Sequence, residues 1–209
     1  MAADYFTQVQ GSGGWTGILE SFARFVAPQP GQRVLDVGCG PGALARIMAR
    51  HGCQVVGVDA NPAMVARAEE LAEALPAAEF RLGSVLALPF DGPEFDVITA
   101  TNVIFLLSDP LAGLREMARV CRPGGRVAML NPSPRLSHAS AQAHAEALGL
   151  KEFDAFTLTN WGSIAEKHRR FDQAELEALF GAAGLQPEAF AEKIGPGLAL
   201  LASGRKPGP

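Results

Sequence analysis

An acid followed by three glycines is the stretch of this sequence best suited to bind a ligand. Asp36 lies in an apolar run, and Gly38, Gly40 and Gly42 follow at alternate positions. Glycine permits a positive φ and lets a ligand approach the backbone closely. A helical pattern begins at Ala43, and the free N–H groups of a helix start favour carboxylate or phosphate. We interpret the stretch as a strand, a tight turn and a helix beside an anionic or nucleotide-like ligand, the alternative being a glycine-rich turn with a solvated acid.

A second acid ends the next predicted strand, at Asp59. A carboxylate at this point of an α/β sheet can accept hydrogen bonds from both hydroxyls of a ribose. Asn61 and Pro62 follow as the predicted cap and first residue of a helix. The alternative is that Asp59 only helps to cap that helix.

Three of the four histidines lie in one segment. His138, His144 and His168 all lie between residues 131 and 170, and a histidine is the usual acceptor of a proton near neutral pH. His168 is the candidate base, since it precedes the predicted helix start at Phe171 and can reach back over the sheet. Each histidine has an alternative interpretation as a solvated residue.

The three cysteines, Cys39, Cys53 and Cys121, form no CxxC pair and have no histidine cluster beside them. They are interpreted as reduced, structural thiols, and no metal site is predicted.

Composition narrows the classes of function. The 209 residues suit one α/β domain, and the net charge of −4 with no basic run argues against a nucleic-acid partner. No apolar run reaches membrane-spanning length, and the amino terminus lacks a signal-peptide pattern. We therefore expect a soluble, unprocessed, cytoplasmic protein.

Strands and helices alternate along the chain, which predicts a Rossmann-like, doubly wound α/β fold with a mostly parallel sheet. Five strands are predicted at 33–37, 54–59, 79–82, 95–100 and 127–130, and a carboxyl-terminal antiparallel hairpin at 186–194 and 198–203 brings the sheet to seven. The chain is predicted to be a single domain, 1–209, with a helical cap at 1–30 that includes an amphipathic helix from Trp15 to Val26. Residues 131–170 are predicted to be a lid or substrate-binding insertion with a helix near 137–148, and residues 204–209 to be disordered. Asp172 is predicted to cap a further helix in a capping box with Glu175.

Four blocks, in order, carry a resemblance to a known family: 35–42 (LDVGCGPG), 57–64 (GVDANPAM), 95–98 (FDVI) and 119–125 (RVCRPGG). Together they resemble the class I S-adenosylmethionine (SAM)-dependent methyltransferases, in particular the small-molecule group that includes the ubiquinone and menaquinone biosynthesis enzymes. The resemblance is close over 33–130 and looser over the final helix and hairpin.

The resemblance implies SAM as the cofactor and gives roles to individual residues. The backbone at Gly38, Gly40 and Gly42 would pass close to the amino-acid portion of SAM, with Asp36 near its ammonium group and Asp59 on the ribose hydroxyls. The remaining implied positions are Ala60 and Met64 on the adenine face, Ser84 and Val85 at the adenine edge, and Thr101 and Asn102 facing the methyl-transfer site.

The sequence departs from the family at two points. Many relatives carry an acid where this chain has Ser84, which offers the adenine amino group only an uncharged acceptor. The family often has histidines after the fourth strand, whereas residues 104–107 read IFLL, so an apolar wall is expected there. An Asn-Pro-Pro-aromatic motif, which amino-directed nucleic-acid methylases use, is also missing from this position.

The resemblance implies methyl transfer to a small-molecule acceptor with an O, N, S or C nucleophile. One alternative is an NAD(P)-binding oxidoreductase, because Gly38, Gly40 and Ala43 also fit the relaxed dinucleotide fingerprint. Gly42, Asp36 and the terminal hairpin favour SAM. The other alternative is a SAM-binding protein without transferase activity. The sequence leaves the acceptor and the oligomeric state open.

Overall fold

Seven strands form one twisted sheet in the computed structural model, which describes residues 2–208. The strands are β1 Arg33–Val37, β2 Gln54–Asp59, β3 Ala78–Leu82, β4 Phe95–Thr101, β5 Cys121–Pro132, β6 Gln186–Lys193 and β7 Ala199–Arg205. Their order is β3-β2-β1-β4-β5-β7-β6, with β1 to β5 parallel and β7 antiparallel to both of its neighbours. The predicted α/β fold with its antiparallel hairpin is therefore confirmed.

The strand order reverses between β1 and β4, which pair with each other while their chain neighbours lie on opposite sides. Ligands of open α/β sheets bind outside the carboxyl ends of the strands at such a point. Asp36 and Asp59 lie at or next to the ends of β1 and β2. The topology thus brings both acids to the same crevice.

Eight α-helices flank the sheet among the described residues: α1 Ala2–Gly11, α2 Gly13–Val26, α3 Ala43–Arg50, α4 Pro62–Leu71, α5 Pro110–Val120, α6 His138–Ala147, α7 Glu152–Ala165 and α8 Gln173–Ala182. One core packs α2, α3, α4, α6 and α7 against one face of the sheet, and the other packs α5 and α8 against the opposite face. Both faces of the sheet are covered, so β1 is almost entirely apolar. Asp36 is the one ionisable residue among its buried positions, 34–37.

Local capping signals in the sequence hold in the structure. The Asn61 side chain accepts a hydrogen bond from the Ala63 amide at 2.9 Å, and Pro62 opens α4. Asp172 and Glu175 form the predicted capping box of α8. These contacts set where two of the helices begin.

The structure differs from the prediction made from the sequence towards both ends of the chain. Helix α1 lies within the predicted helical cap 1–30 but was not predicted as a separate helix, because its apolar pattern is weak and only Val9 of its side chains is buried. The expected disorder from residue 204 is wrong at least as far as Lys206. Arg205 pairs with Arg126 and Gln186 at the end of β7, and the Lys206 ammonium donates to the carbonyls of Ala118 and Cys121, each at 2.8 Å. Pro209 lies outside the described residues.

Residues 131–170 form a helical hairpin, α6 and α7, whose inner face joins the core through Ala141, Leu158, Trp161 and Ala165. A helix at α7 was not predicted. No helix among residues 2–208 is long and apolar enough to cross a membrane. The substrate-binding role of this segment stays a prediction.

Candidate ligand-binding site

The glycine turn after β1 is built from three residues with positive φ. The angles are 66° at Gly38, 54° at Gly40 and 77° at Gly42, which L side chains rarely adopt. A Cβ at Gly38 would collide with the Val103 side chain, and one at Gly42 would lie 2.7 Å from the Phe80 ring. Gly38 and Gly42 are therefore required both for the turn and for the close packing of these side chains. At Gly40, only the flexible side chain of Gln10 comes within 4 Å of where a Cβ would lie.

Asp36 is buried beneath this turn, with only 1% of its surface exposed. The Thr99 hydroxyl donates to Oδ1 at 3.0 Å, while Oδ2 is buried and has no hydrogen-bond partner. Burial raises the pKa of the carboxyl to about 7; the hydrogen bond from Thr99 opposes the rise, and the nearby Asp59 charge adds to it. A buried polar atom without a partner needs an explanation, and a ligand that donates a hydrogen bond or carries a positive charge would supply one.

Asp59 connects the glycine turn to the start of α4. Its Oδ2 accepts the Gly40 amide and its Oδ1 the Asn61 amide, both at 2.9 Å. The capping alternative therefore holds in part, since Asp59 fixes the residue that caps α4. Each carboxylate oxygen keeps a further lone pair, so the half-buried group can still accept hydroxyl donors from the crevice.

The other predicted cofactor residues surround the same end of the sheet. Ala60 is exposed just beyond β2, and Met64 is buried in the first turns of α4. The Ser84 hydroxyl accepts the Leu86 amide at 3.2 Å in the turn after β3, where Val85 is half-buried. All four follow the carboxyl ends of β2 and β3, as the resemblance implies, and their contacts with a ligand stay a prediction.

Thr101 and Asn102 follow on β4, on the other side of β1. Asn102 has a φ of 58° and donates its amide to the Leu130 carbonyl at 2.9 Å, while its side-chain Oδ1 is buried without a partner. The 3-10 turn Ile104–Leu106 comes next, with Ile104 and Phe105 fully covered. The run after β4 thus packs into the core, and its part as an apolar wall of the methyl-transfer site stays a prediction.

The structure also brings in a residue that the sequence did not suggest. The Gln10 side chain of α1 accepts the Ala43 amide on Oε1 at 3.0 Å, and its Nε2 lies 3.5 Å from the Cys39 carbonyl. A Cβ on Gly40 would lie 3.1 Å from that nitrogen. Gln10 thus covers the glycine turn from a helix 33 residues away in sequence.

The candidate base, His168, lies in the exposed turn after α7 with its ring edge-on to Phe105, 5.9 Å between centroids. His138 Nδ1 is hydrogen-bonded to the Ser163 hydroxyl at 2.9 Å. His168 is therefore the histidine that contacts the wall following β4. Its part in catalysis stays a prediction.

The cysteines are free and buried, as the sequence suggested. Burial raises the pKa of the Cys39 thiol far above its usual range and that of Cys121 to about 11, so both are neutral thiols at physiological pH. Within residues 2–208 there is no group of three or more His, Cys, Asp or Glu side chains that could hold a metal ion.

With this geometry in hand, comparison with known proteins gives a consistent result. Residues 35–129 match the model of a methyltransferase domain. The ubiquinone biosynthesis O-methyltransferase of Albidiferax ferrireducens is 42% identical over 115 residues, which cover 53% of this chain and 46% of that protein. The chain spans between 31% and 49% of the length of the curated relatives first matched.

Solved structures show the same fold. The magnesium protoporphyrin IX methyltransferase of Synechocystis PCC 6803, with bound SAH, superposes with a TM-score of 0.72 at 17% identity, covering 97% of this chain and 93% of that one. A chain of the complex formed by the Trm112 methyltransferase activator of Haloferax volcanii superposes with a TM-score of 0.77 at 21% identity, covering 99% and 96%.

The domain match falls on β1 to β5, which hold the glycine turn and both acids. The sheet order, with an antiparallel β7 inserted between β5 and β6, differs from the order 3-2-1-4-5-6 of the dinucleotide-binding fold. The NAD(P) alternative is accordingly not favoured. Over residues 35–129 the chain matches a methyltransferase domain, and its fold is that of solved methyltransferase structures.

Proposed function

We propose that the protein transfers a methyl group from SAM to a small-molecule acceptor. The observation that carries the proposal is the unpartnered, buried Oδ2 of Asp36 beside a glycine turn and a helix start. Those three features match the two charges of an α-amino acid: the ammonium group suits Asp36, and the carboxylate suits the N–H groups and the positive dipole end at the start of α3. A dinucleotide phosphate would bring only negative charge next to Asp36.

The residues present fit the rest of the cofactor. The Asp59 carboxylate would accept the ribose hydroxyls with the lone pairs that its two backbone bonds leave free. Ala60, Met64 and the turn at Ser84 and Val85 would enclose the adenine. Since Ser84 already accepts a backbone amide, its hold on the adenine amino group would be weak.

When bound, SAM supplies a methyl group that its sulfonium already activates. The task of the protein is then to orient the acceptor and to exclude water. Thr101 and Asn102 border the methyl-transfer site, and the buried Oδ1 of Asn102 is available to accept a hydrogen bond from the acceptor. Ile104 and Phe105 form the dry wall, and His168, in contact with Phe105, would take a proton from acceptors that must lose one.

The net charge of −4 and the absence of a basic run favour a small molecule over nucleic acid as the acceptor. The relatives named for ubiquinone biosynthesis O-methylation support oxygen as the nucleophile. Cytoplasmic location belongs to the same proposal, in keeping with the three free thiols.

The experiment that tests the proposal has two stages. Calorimetry with S-adenosylhomocysteine, the demethylated product, should show one site per chain. Incubation of the protein and SAM carrying a deuterated methyl group with a metabolite extract should then give an acceptor that gains the labelled methyl in mass spectrometry. An Asp59→Ala variant serves as the control for background transfer.

Failure can be read at either stage. No binding of S-adenosylhomocysteine would overturn the cofactor assignment. Binding without any labelled product across chemically diverse extracts would overturn the transferase assignment and favour a SAM-binding protein without methyl transfer.

A further inference from the structure

Gln10 accepts a hydrogen bond from a backbone N–H group that the carboxylate of the cofactor would need. Gly42, the residue before α3, has no side chain to cap the helix, so the first amides of α3 need outside partners. The Gln10 carbonyl supplies one, accepting the Ala43 amide at 3.0 Å. A carboxylate at this helix start would compete for the same N–H group.

Gln10 also fills the space that a ligand would take. Its Nε2 would be 3.1 Å from a Cβ on Gly40, the one glycine of the turn at which no other residue comes within 4 Å of that position. The Gln10 side-chain amide therefore binds the Ala43 N–H group and also fills the space in front of Gly40. Asp36 Oδ2, buried in the same site, is left without a partner.

Helix α1 is attached to the protein in a way that permits exchange. Val9 is its only buried side chain, and its other contacts include the Tyr5 ring edge-on to Phe153, 6.2 Å between centroids. The Tyr5 hydroxyl accepts Asn160 Nδ2 at 3.0 Å, and the Thr7 hydroxyl accepts Arg67 Nε at 3.4 Å. A glycine-rich junction, 11–14, joins α1 to α2 and gives the backbone freedom to reorient. Displacing Gln10 would thus disturb little of the core.

From these contacts we infer that Gln10 is an internal substitute for the amino-acid end of the cofactor. It caps α3 through the Ala43 amide and must leave that amide before a cofactor carboxylate can bind there. The inference rests on the proposed function. Gln10, which lies outside the matched domain, would set the affinity for ligands that carry an α-amino-acid end. It would leave the affinity for ligands without that end unchanged.

The test compares two ligands that share adenosine and a 5′ sulfur. S-Adenosylhomocysteine carries the amino-acid end, and 5′-methylthioadenosine lacks it. With calorimetry, Gln10→Ala should tighten binding of S-adenosylhomocysteine by about 2- to 10-fold, the range of one hydrogen bond, and leave methylthioadenosine unchanged. Gln8→Ala is the matched control, because Gln8 is exposed on the same helix.

A second variant should move affinity in the opposite direction. Gln10→Glu keeps an acceptor for the Ala43 amide and adds a negative charge that favours the helix start and repels a ligand carboxylate. S-Adenosylhomocysteine should bind more weakly to it than to the wild type. In hydrogen exchange, α1 should exchange faster when the wild type is saturated with S-adenosylhomocysteine, and not with methylthioadenosine.

The outcomes separate this inference from the proposed function. If the wild type does not bind S-adenosylhomocysteine, the proposed function fails first. If the wild type binds it and Gln10→Ala binds it equally or more weakly, Gln10 is a bystander or a clamp, and only the inference is overturned. Equal changes for both ligands would also overturn it, since they would indicate a general loosening of the site.

Discussion

The buried carboxyl of Asp36 makes the stability of the ligand-free protein depend on pH. We expect Asp36→Asn to stabilise the protein at alkaline pH, because the variant keeps the shape of the side chain and an acceptor for Thr99 but removes a charge from the interior. The cause is burial, which raises the pKa of Asp36 from 3.8 to about 7 in the folded state.

The sign follows from proton binding. Between about pH 4 and pH 7 the folded protein keeps the Asp36 proton that the unfolded chain has released, so this group lowers the free energy of unfolding as pH rises. Above pH 7 the cost is constant. A difference of about 3 pKa units, at about 1.36 kcal/mol each, gives a full cost of about 4 kcal/mol, of which about 2.5 kcal/mol develops between pH 5 and pH 8.

Urea unfolding of ligand-free protein at pH 5 and pH 8 measures this directly. The advantage of Asp36→Asn over wild type should be larger at pH 8 by about 2.5 kcal/mol. Asp96→Asn is the control: burial acts to raise the pKa of Asp96, but hydrogen bonds from the Arg33 amide and the Arg122 guanidinium lower it overall. That carboxyl is ionised at both pH values, so its substitution should have the same effect at each. An equal effect of Asp36→Asn at the two pH values would refute the reasoning.

Three further outcomes concern the ligand. Affinity for S-adenosylhomocysteine should fall by up to about tenfold per pH unit below about pH 7, as Asp36 gains its proton, and this extra fall should be missing in Asp36→Asn. Calorimetry at several pH values measures the affinity of both proteins, and parallel pH profiles would contradict the prediction. Asp59→Ala should cost of order 1.5 to 3 kcal/mol of binding, with unchanged affinity excluding a ribose contact. His168→Ala should abolish methyl transfer while leaving that affinity intact, whereas normal turnover would make His168 a surface residue.

The sequence predicted the elements that depend on neighbours in the chain. Asp36, the glycine turn and Asp59 were found because a strand, a turn and a helix follow one another within about 30 residues, and each local signal agrees with the next. Asp172 and Glu175 marked α8 in the same way. These positions needed no knowledge of the distant chain.

What the sequence missed depends on distant contacts. Helix α7 contains Gly162, which lowers helix propensity but lets α7 approach the Ser137 carbonyl so closely that a Cβ would collide with it. Gln10 gave no local signal either, since its partner Ala43 lies 33 residues away. Lys206 looked like part of a disordered tail until the carbonyls of Ala118 and Cys121 were found beside it. Tertiary packing decided all three.

Asp36 and Gln10 both lie beside the glycine turn that leads into α3, but they differ in their hydrogen bonds. The Ala43 amide already has a partner in Gln10, so a ligand carboxylate there exchanges one hydrogen bond for another and gains little. Asp36 Oδ2 has none, and a ligand ammonium would both donate a hydrogen bond to it and favour the ionised carboxyl. Ligand binding should therefore draw most of its strength at this end from the charge on Asp36, while the loss of the Gln10 bond to the Ala43 amide sets how much of that strength is offset.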